Sequence, residues 1–339
     1  MPANPTHTGL TSQGWNWSLA DAKSYVATCK GIDIGQMYIT DDGKTRVYIS
    51  LSDSARLSPY LGICPNGTVR VDWGDNSSTD TLTGTSLTTV QRVQHTYASA
   101  GDYIITLEVT SGSFAIYGSS NSSNGSYLLT RTDTDTTSQR CYQSAIQKVE
   151  LGANVSIGNY AFGYCYSLKS ITIPNSSTIS QIAQQAFREC YSLFGVILPP
   201  SVTSVNSSPF NTCHSLKTVL YPNTVSSLGT QAFYNIYSLC SIKIPSSVTS
   251  LGGNGFGNCY SLRSITIPPN VNQIYGNAFG NCNGVAEYHI LPTTPPTLAN
   301  TSAFSGMLDD CIIYVPAASL TAYQEATNWS EYASYMVGE

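Results

Sequence analysis

Cysteines are the residues of this chain with the most obvious chemistry, as metal ligands or as disulfides, and the sequence has 10 of them. Five recur three residues after a phenylalanine, at Cys165, Cys190, Cys213, Cys259 and Cys282. The equivalent place in another copy holds Ile236, which can neither bind zinc nor form a disulfide, and no Cys-x-x-Cys pair occurs. We therefore expect this cysteine column to be buried free thiols, with inter-repeat disulfides as the alternative.

Histidines and carboxylates give no support for catalysis. None of the histidines lies in a Gly-x-Ser-x-Gly or His-Glu-x-x-His context. Glu150, Glu189 and Glu287 are scattered, whereas glycoside cleavage needs two carboxyl groups about 5–10 Å apart. The sequence also lacks a phosphate loop and a dinucleotide fingerprint. It predicts a protein that is not an enzyme and uses no cofactor.

One acidic cluster offers the oxygen ligands that calcium prefers. It consists of Asp72, Asp75 and Asp80, with Asn76 among them. Turn formation explains Asp75-Asn76 equally well, because both residue types favour tight turns. The cluster is therefore a candidate metal site with a structural alternative.

A second column, one residue after the cysteines, is aromatic. We call it the aromatic ladder, and its members are Tyr166, Tyr191, His214, Tyr237 and Tyr260. Tyr237 is aromatic even where the cysteine is replaced by Ile236, so the two columns are independent. Two interpretations stay open. The rings could stack on one another and stabilise the repeat, or they could form an exposed surface for sugar rings or a protein partner.

A third set of residues is predicted to lie on the outer face of the strands. Phe194, Ile197 and Leu220 would form an apolar cluster there, and Lys243 occupies the same outward position in the next copy. Exposed apolar clusters often mark contact sites. We therefore treat these four residues as a candidate partner-binding surface.

All these columns belong to an internal repeat that begins near Cys141. Its phenylalanines lie at 162, 187, 210, 233, 256, 279 and 304, a period within the range of leucine-rich repeats. In the first clear copy Leu168, Ile171 and Ile173 would point inward from a short strand, which Pro174 ends. Stacked copies predict a solenoid with a parallel sheet along one face and a terminal cap. A closing helix is expected within 317–332.

The part of the chain before the repeat has a different pattern. Residues 46–51, 67–73 and 102–109 alternate between apolar and polar side chains, as half-buried strands do. We expect four regions: an N-terminal segment with a short helix from Ser18 to Val26 at 1–43, an all-β sandwich at 44–117, a Ser/Asn/Thr-rich linker at 118–140 and the capped solenoid at 141–339.

The repeat resembles the BspA-type, or LRR_5-like, leucine-rich repeats of bacterial and protist surface proteins. The resemblance rests on the phrase A-F-x-x-C-x-S-L-x-S-I-x-I-P and on the V-T-S that follows it at Val202 and Val248. Residues 71–76 (VDWGDN) and 95–103 (HTYASAGDY) resemble the PKD domain, an Ig-like spacer. The resemblance implies extracellular adhesion or recognition through the solenoid rather than catalysis.

Composition narrows the possible partners. Only 10% of the residues are charged, and the formal net charge of −5 argues against nucleic acid binding. No apolar run is long enough for membrane insertion. The first fourteen residues lack the basic start and apolar stretch of a Sec signal peptide. We expect a monomer in solution.

These observations predict a non-enzymatic adhesion or recognition protein, extracellular or at the cell surface. Its solenoid would bind an extracellular protein or a glycan of a host or neighbouring cell. Two alternatives remain at this point. One is a phage tail-associated host-recognition protein, which would be virion-associated. The other is an accessory carbohydrate-binding region of a secreted enzyme system.

Overall fold

The first part of the chain folds into antiparallel strands with one face on a core. In the computed structural model the described residues are 11–15, 36–39, 42–119, 126–133 and 142–339. The strands before the repeat are β1 (Thr11–Trp15), β2 (Gln36–Ile39), β3 (Thr45–Leu51), β4 (Tyr60–Asp72), β5 (Asp80–Thr85), β6 (Gln91–Gln94), β7 (Gly101–Ile116) and β8 (Leu129–Thr130). β3 alternates strictly between buried and half-buried residues, as its sequence pattern predicts. The helix expected from Ser18 to Val26 lies outside the described residues.

β4 joins two sheets of this all-β region. Its first residues pair with β6 and β8, and its later residues pair with β7 and β5, always antiparallel. Trp73 and Tyr97 are buried, and the Tyr97 hydroxyl donates to the carbonyl oxygen of Trp73 at 3.1 Å. A short 3-10 helix, Ser54–Arg56, lies between β3 and β4. β1 and β2 pair separately with each other.

Part of the stretch expected to be a linker is packed core instead. Gly118 forms a bridge with Ser126, and β8 pairs with β4. Leu128 and Leu129 are completely buried, and the Ser126 hydroxyl donates to the carbonyl oxygen of Ala161 in the solenoid. These residues are packed because the apolar Leu128-Leu129 pair is buried. The polar residues on either side of the pair make the whole stretch look like a linker in the sequence. Residues 126–133 therefore connect the two regions through buried contacts.

The repeat contributes two series of short parallel strands. The front sheet contains β9 (Ile146–Glu150), β11 (Ser170–Thr172), β13 (Gly195–Ile197), β15 (Thr218–Leu220), β18 (Ser264–Ile267), β20 (Glu287–Ile290), β22 (Ile312–Val315) and β23 (Met336–Gly338). The back sheet contains β12 (Gln181–Ile182), β14 (Ser204–Val205), β16 (Ser227–Leu228), β17 (Ser250–Leu251), β19 (Gln273–Ile274) and β21 (Thr297–Leu298), while β10 (Val155–Ile157) pairs with β7. The expected leucine-rich repeat solenoid with an all-β region before it is therefore confirmed.

The front sheet is continuous with the N-terminal sheet but is interrupted further along. β9 pairs antiparallel with β3, with Val149 opposite Val47, so the N-terminal region covers the first turn of the solenoid. Residues 241–244, which the structure describes, form no strand. The front sheet therefore consists of one series that ends at β15 and a second series that starts at β18.

Stacked phenylalanines form the centre of the solenoid. All seven repeat phenylalanines are buried, and neighbouring rings are stacked with centroids 5.3–5.9 Å apart. Leu168, Ile171 and Ile173 point inward, as predicted. Because each unit buries its core only against its neighbours, this stack contributes to the cohesion between units.

Each of the first six phenylalanine-containing units turns its return segment with two residues in the left-handed backbone region. Later units use asparagine there, as at Asn254 (φ 53°) and Asn258 (φ 61°), which tolerates this conformation well. Earlier units use less suitable residues, such as Tyr160 (φ 56°) and Glu189 (φ 58°). Their persistence shows that the surrounding packing fixes the backbone there.

The C-terminal cap is less helical than expected. The 317–332 stretch was predicted to be one closing helix, but it contains only α1 (Leu320–Glu325), with 3-10 turns at Ala317–Ser319 and Ser330–Tyr335. A further 3-10 turn, Gln143–Ala145, precedes β9. The helix ends because Ala326 has extended backbone (ψ 144°), and after Asn328 (φ 65°) the indole Nε1 of Trp329 donates to the carbonyl oxygen of Pro296 at 2.6 Å. In the described ranges no helix has the length and apolarity needed to cross a membrane.

The buried tyrosines give a test of this core. Tyr288 takes the inward place of an isoleucine, and its completely buried hydroxyl has no hydrogen-bond partner among the described residues. Tyr288→Phe should raise the free energy of unfolding by about 1 kcal/mol, because it removes an unsatisfied polar group. Denaturant unfolding monitored by circular dichroism measures this change.

Tyr323→Phe is the matched control. The Tyr323 hydroxyl is also buried but donates to the carbonyl oxygen of Pro292 at 2.7 Å. Its removal should lower the free energy of unfolding by about 1 kcal/mol. An equal loss of stability in both variants would contradict the unpartnered position of the Tyr288 hydroxyl.

Candidate functional site

The cysteine column is a row of buried, free thiols. Four of them donate to the carbonyl oxygen of a phenylalanine in an earlier unit, at 3.0–3.1 Å: Cys190 to Phe162, Cys213 to Phe187, Cys259 to Phe233 and Cys282 to Phe256. Burial raises the pKa of each thiol, for example that of Cys282 to about 12. The column therefore acts as a small apolar filler with a weak donor, and Ile236 fills the same place by volume alone.

These thiols should be unreactive in the native protein. Iodoacetamide should leave all five unmodified at about pH 7 and about pH 9, since a buried thiol with a raised pKa supplies no accessible thiolate. In guanidinium chloride all five should react. Peptide mapping by mass spectrometry identifies the modified cysteines, and native labelling of Cys190 or Cys213 would contradict the described packing.

The same pKa shifts give a pH dependence of stability. Unfolded thiols ionise near pH 8.5, whereas the buried ones stay protonated. The free energy of unfolding should therefore fall as the pH rises above about 8.5.

The aromatic ladder forms one continuous stack. Ring centroids lie 4.9 Å apart from Tyr166 to Tyr191, 5.0 Å to His214, 4.5 Å to Tyr237 and 5.1 Å to Tyr260, with interplanar angles of 2–24°. The edges of the stacked rings face solvent. Tyr191, Tyr237 and Tyr260 are accordingly 36–42% exposed. Each inner ring covers the faces of its two neighbours, so the self-stacking interpretation describes the observed geometry. The faces that a sugar ring would need are occupied in the inner part of the ladder.

His214 is the one ladder member that can take up charge near neutral pH. Its ring Nε2 is buried and has no hydrogen-bond partner in the described part of the chain. Burial lowers the pKa of His214, which the carboxylate of Glu189 opposes only partly. A neutral imidazole is therefore the form that stacks between Tyr191 and Tyr237.

The ring–ring contacts of the aromatic ladder should add to the free energy of unfolding. Tyr237→Ala removes the stacking contacts with His214 and Tyr260. It should lower the free energy of unfolding by about 1–2 kcal/mol. Tyr275→Ala is the control, because Tyr275 is similarly exposed and lies next to the back sheet, outside the ladder. Chemical denaturation measures both changes. Equal effects of the two substitutions would show that stacking adds nothing beyond ordinary side-chain burial.

Phe194 stands on the front sheet with more of its surface exposed than any other large apolar residue described, at 56%. Ile197 is paired in register with Leu220 of the next unit, and both are half-buried. The Lys217 ammonium lies 5.0 Å from the Phe194 ring centroid, a cation–π geometry that the repeat pattern does not predict. Phe194, Ile197 and Leu220, together with Lys217, form a surface that we call the front face.

Lys243 is exposed as predicted, but it does not lie on a strand of the front sheet. Its side chain is exposed, as expected for an outward position. It lies, however, in the stretch 241–244 that forms no strand. The structure therefore places Lys243 at the interruption of the front sheet.

The acidic residues of the candidate calcium site do not converge. An Asp72 side-chain oxygen accepts from the Gly74 backbone N–H at 2.9 Å, Asp75 contacts His95 Nε2 at 2.8 Å, and Asp80 accepts from the Trp73 indole at 2.7 Å. Each carboxylate thus supports a turn or an aromatic side chain. No group of three or more potential metal-ligating His, Cys, Asp or Glu residues occurs in the described ranges.

Comparison with known proteins identifies the repeats. Residues 155–286 match the family model described as the BspA type leucine rich repeat region, in six copies. These residues are therefore leucine-rich repeats of the BspA type, which confirms that resemblance. A search of curated proteins found no match.

Solved structures similar to this chain are also leucine-rich repeat proteins. The T. pallidum leucine rich repeat protein is 25% identical, over 48% of this chain and 78% of that one, with a TM-score of 0.44. A leucine rich cell surface protein from Faecalibacterium prausnitzii is 24% identical over 58% of this chain and 65% of that one, with a TM-score of 0.36. A leucine-rich repeat protein from Eubacterium ventriosum is 24% identical over 56% of this chain and 51% of that one, with a TM-score of 0.41.

Proposed function

We propose that this protein is a non-enzymatic recognition protein that binds a partner protein through the front face of its solenoid. The observation that carries this proposal is the exposure of Phe194 directly before a front-sheet strand, with the Lys217 ammonium 5.0 Å from its ring centroid. Aromatic side chains are enriched at protein interfaces, and a few such residues often dominate the binding energy.

The BspA type of the repeats supports an extracellular or cell-surface location for this activity. The N-terminal all-β region would act as a spacer that holds the solenoid away from its attachment point. Its resemblance to the PKD domain remains a prediction. Trp73 stacks on His95 with centroids 4.6 Å apart, and Tyr97 contacts both rings edge-on. These contacts stabilise the all-β region, and a spacer has to be a stably folded unit.

Glycan binding on the aromatic ladder is the second candidate function. It is favoured by the exposed edges and hydroxyl groups of Tyr237 and Tyr260. The stacking leaves these edges, rather than ring faces, available to a ligand.

One experiment compares the two surfaces. The purified protein is applied to an array of glycans, mucins and matrix proteins together with the Phe194→Ser and Tyr237→Ala variants. We expect a protein signal that falls at least about tenfold in Phe194→Ser, because truncating a residue that dominates an interface costs about 2 kcal/mol or more. Tyr275→Ser, which removes an exposed ring near the back sheet, should leave the signal unchanged.

Two outcomes would contradict the proposal. A glycan signal that depends on Tyr237 but not on Phe194 would move the binding site to the aromatic ladder. A protein signal of equal strength in wild type and Phe194→Ser would remove the front face from the binding surface.

A further inference from the structure

Charge is segregated along this chain. The residues from 151 to 286 contain five basic side chains, Lys169, Arg188, Lys217, Lys243 and Arg263, but only one carboxylate, Glu189. This stretch therefore has a net charge of +4, whereas the whole chain has −5. Glu189 lies 3.3 Å from Arg188 Nε and accepts a hydrogen bond from the Tyr191 hydroxyl, so it belongs to the ladder side of the solenoid. The front sheet of the central units has no carboxylate.

Three of the cations occupy one column at the edge of the front face. Lys169, Lys217 and Arg263 each follow the buried leucine of their unit, and all three are exposed. Phe194 takes the same place between the first two. In the part of the chain that the structure describes, none of these three cations forms a salt bridge. Lys217 lies over the Phe194 ring, and the Arg263 guanidinium donates to the Gly284 carbonyl oxygen at 3.3 Å.

The cations recur in every second unit. Parallel strands lie about 4.8 Å apart, so two units advance by about 10 Å. An extended chain in the polyproline II conformation has three residues per turn and rises about 3.1 Å per residue, so every third side chain lies on one face at about 9 Å spacing. Carboxylates at every third position of such a chain match the spacing of Lys169, Lys217 and Arg263.

We infer that the front face binds an extended acidic polypeptide segment whose carboxylates recur every third residue. An apolar side chain of that segment packs on Phe194 between the first two ion pairs. This inference rests on the proposed function and specifies the chemistry of the partner. The cations are solvent-exposed, so their contribution is mainly faster association and selection against basic partners, and it weakens with salt.

A peptide titration tests the inference on the full-length protein. The probe is a fluorescein-labelled peptide with four Glu-Pro-Pro repeats, in which proline fixes the extended conformation. One control peptide has Gln-Pro-Pro repeats. The other has the same composition as the probe, with all its glutamates contiguous. Binding is measured by fluorescence anisotropy at low and moderate sodium chloride concentrations.

We expect the probe to bind and both control peptides to bind at least about tenfold more weakly. Raising the salt concentration should weaken probe binding by a similar factor, because exposed charges are screened. The double variant Lys217→Glu with Arg263→Glu should lose binding. Arg56→Glu, which reverses one charge next to Asp53 on the N-terminal region, should leave binding unchanged.

The outcomes separate this inference from the proposed function. If the Gln-Pro-Pro peptide binds as well as the probe, the acidic partner is wrong. If heparin binds and no peptide does, the front face recognises an anionic glycan instead, and the inference is overturned. If array partners are lost in Phe194→Ser while the acidic probe never binds, the proposed function holds and only the acidic partner fails.

Discussion

Contact between neighbouring repeat units is the constraint on which the rest of the structure depends. The phenylalanine rings of neighbouring units stack at 5.3–5.9 Å, and the rings of the aromatic ladder stack at 4.5–5.1 Å, so each column repeats once per unit. The aromatic ladder stacks because its members are held one unit apart, and the thiols reach phenylalanine carbonyl oxygens for the same reason. The cations of the front face inherit the same regular separation.

The two ends of the stack are covered in different ways. At the beginning, the N-terminal region supplies β3 and β7 as partners for β9 and β10, so that the first unit has no open edge. At the end, Tyr323 and Trp329 of the cap donate hydrogen bonds to carbonyl oxygens of the last turns. A solenoid needs such atypical ends, because its interior units cannot be exposed to water.

The sequence predicts the periodic part of this fold well and its exceptions poorly. A recurring Phe, Cys or Leu reveals an inward position, so the core and the ladder follow from counting. The buried Leu128-Leu129 pair was not predicted, because a single non-repeated contact with a distant part of the chain has no period to reveal it. The cation–π contact of Lys217 with Phe194 was missed because two residues in different units meet only after stacking. The prediction of one helix over 317–332 was wrong because the backbone becomes extended at Ala326, which no residue type in the sequence marks.

The separation of capping from recognition has an evolutionary consequence. Both ends of the solenoid contact only the terminal units, so a duplication of two central repeats would leave both caps unchanged. It would lengthen the front sheet by about 10 Å, and it would copy any surface residue that those repeats carry. The chain can therefore vary the length and the composition of its exposed surface by recombination between near-identical copies, such as those at 161–174 and 255–268, without any new solution to the packing of its core.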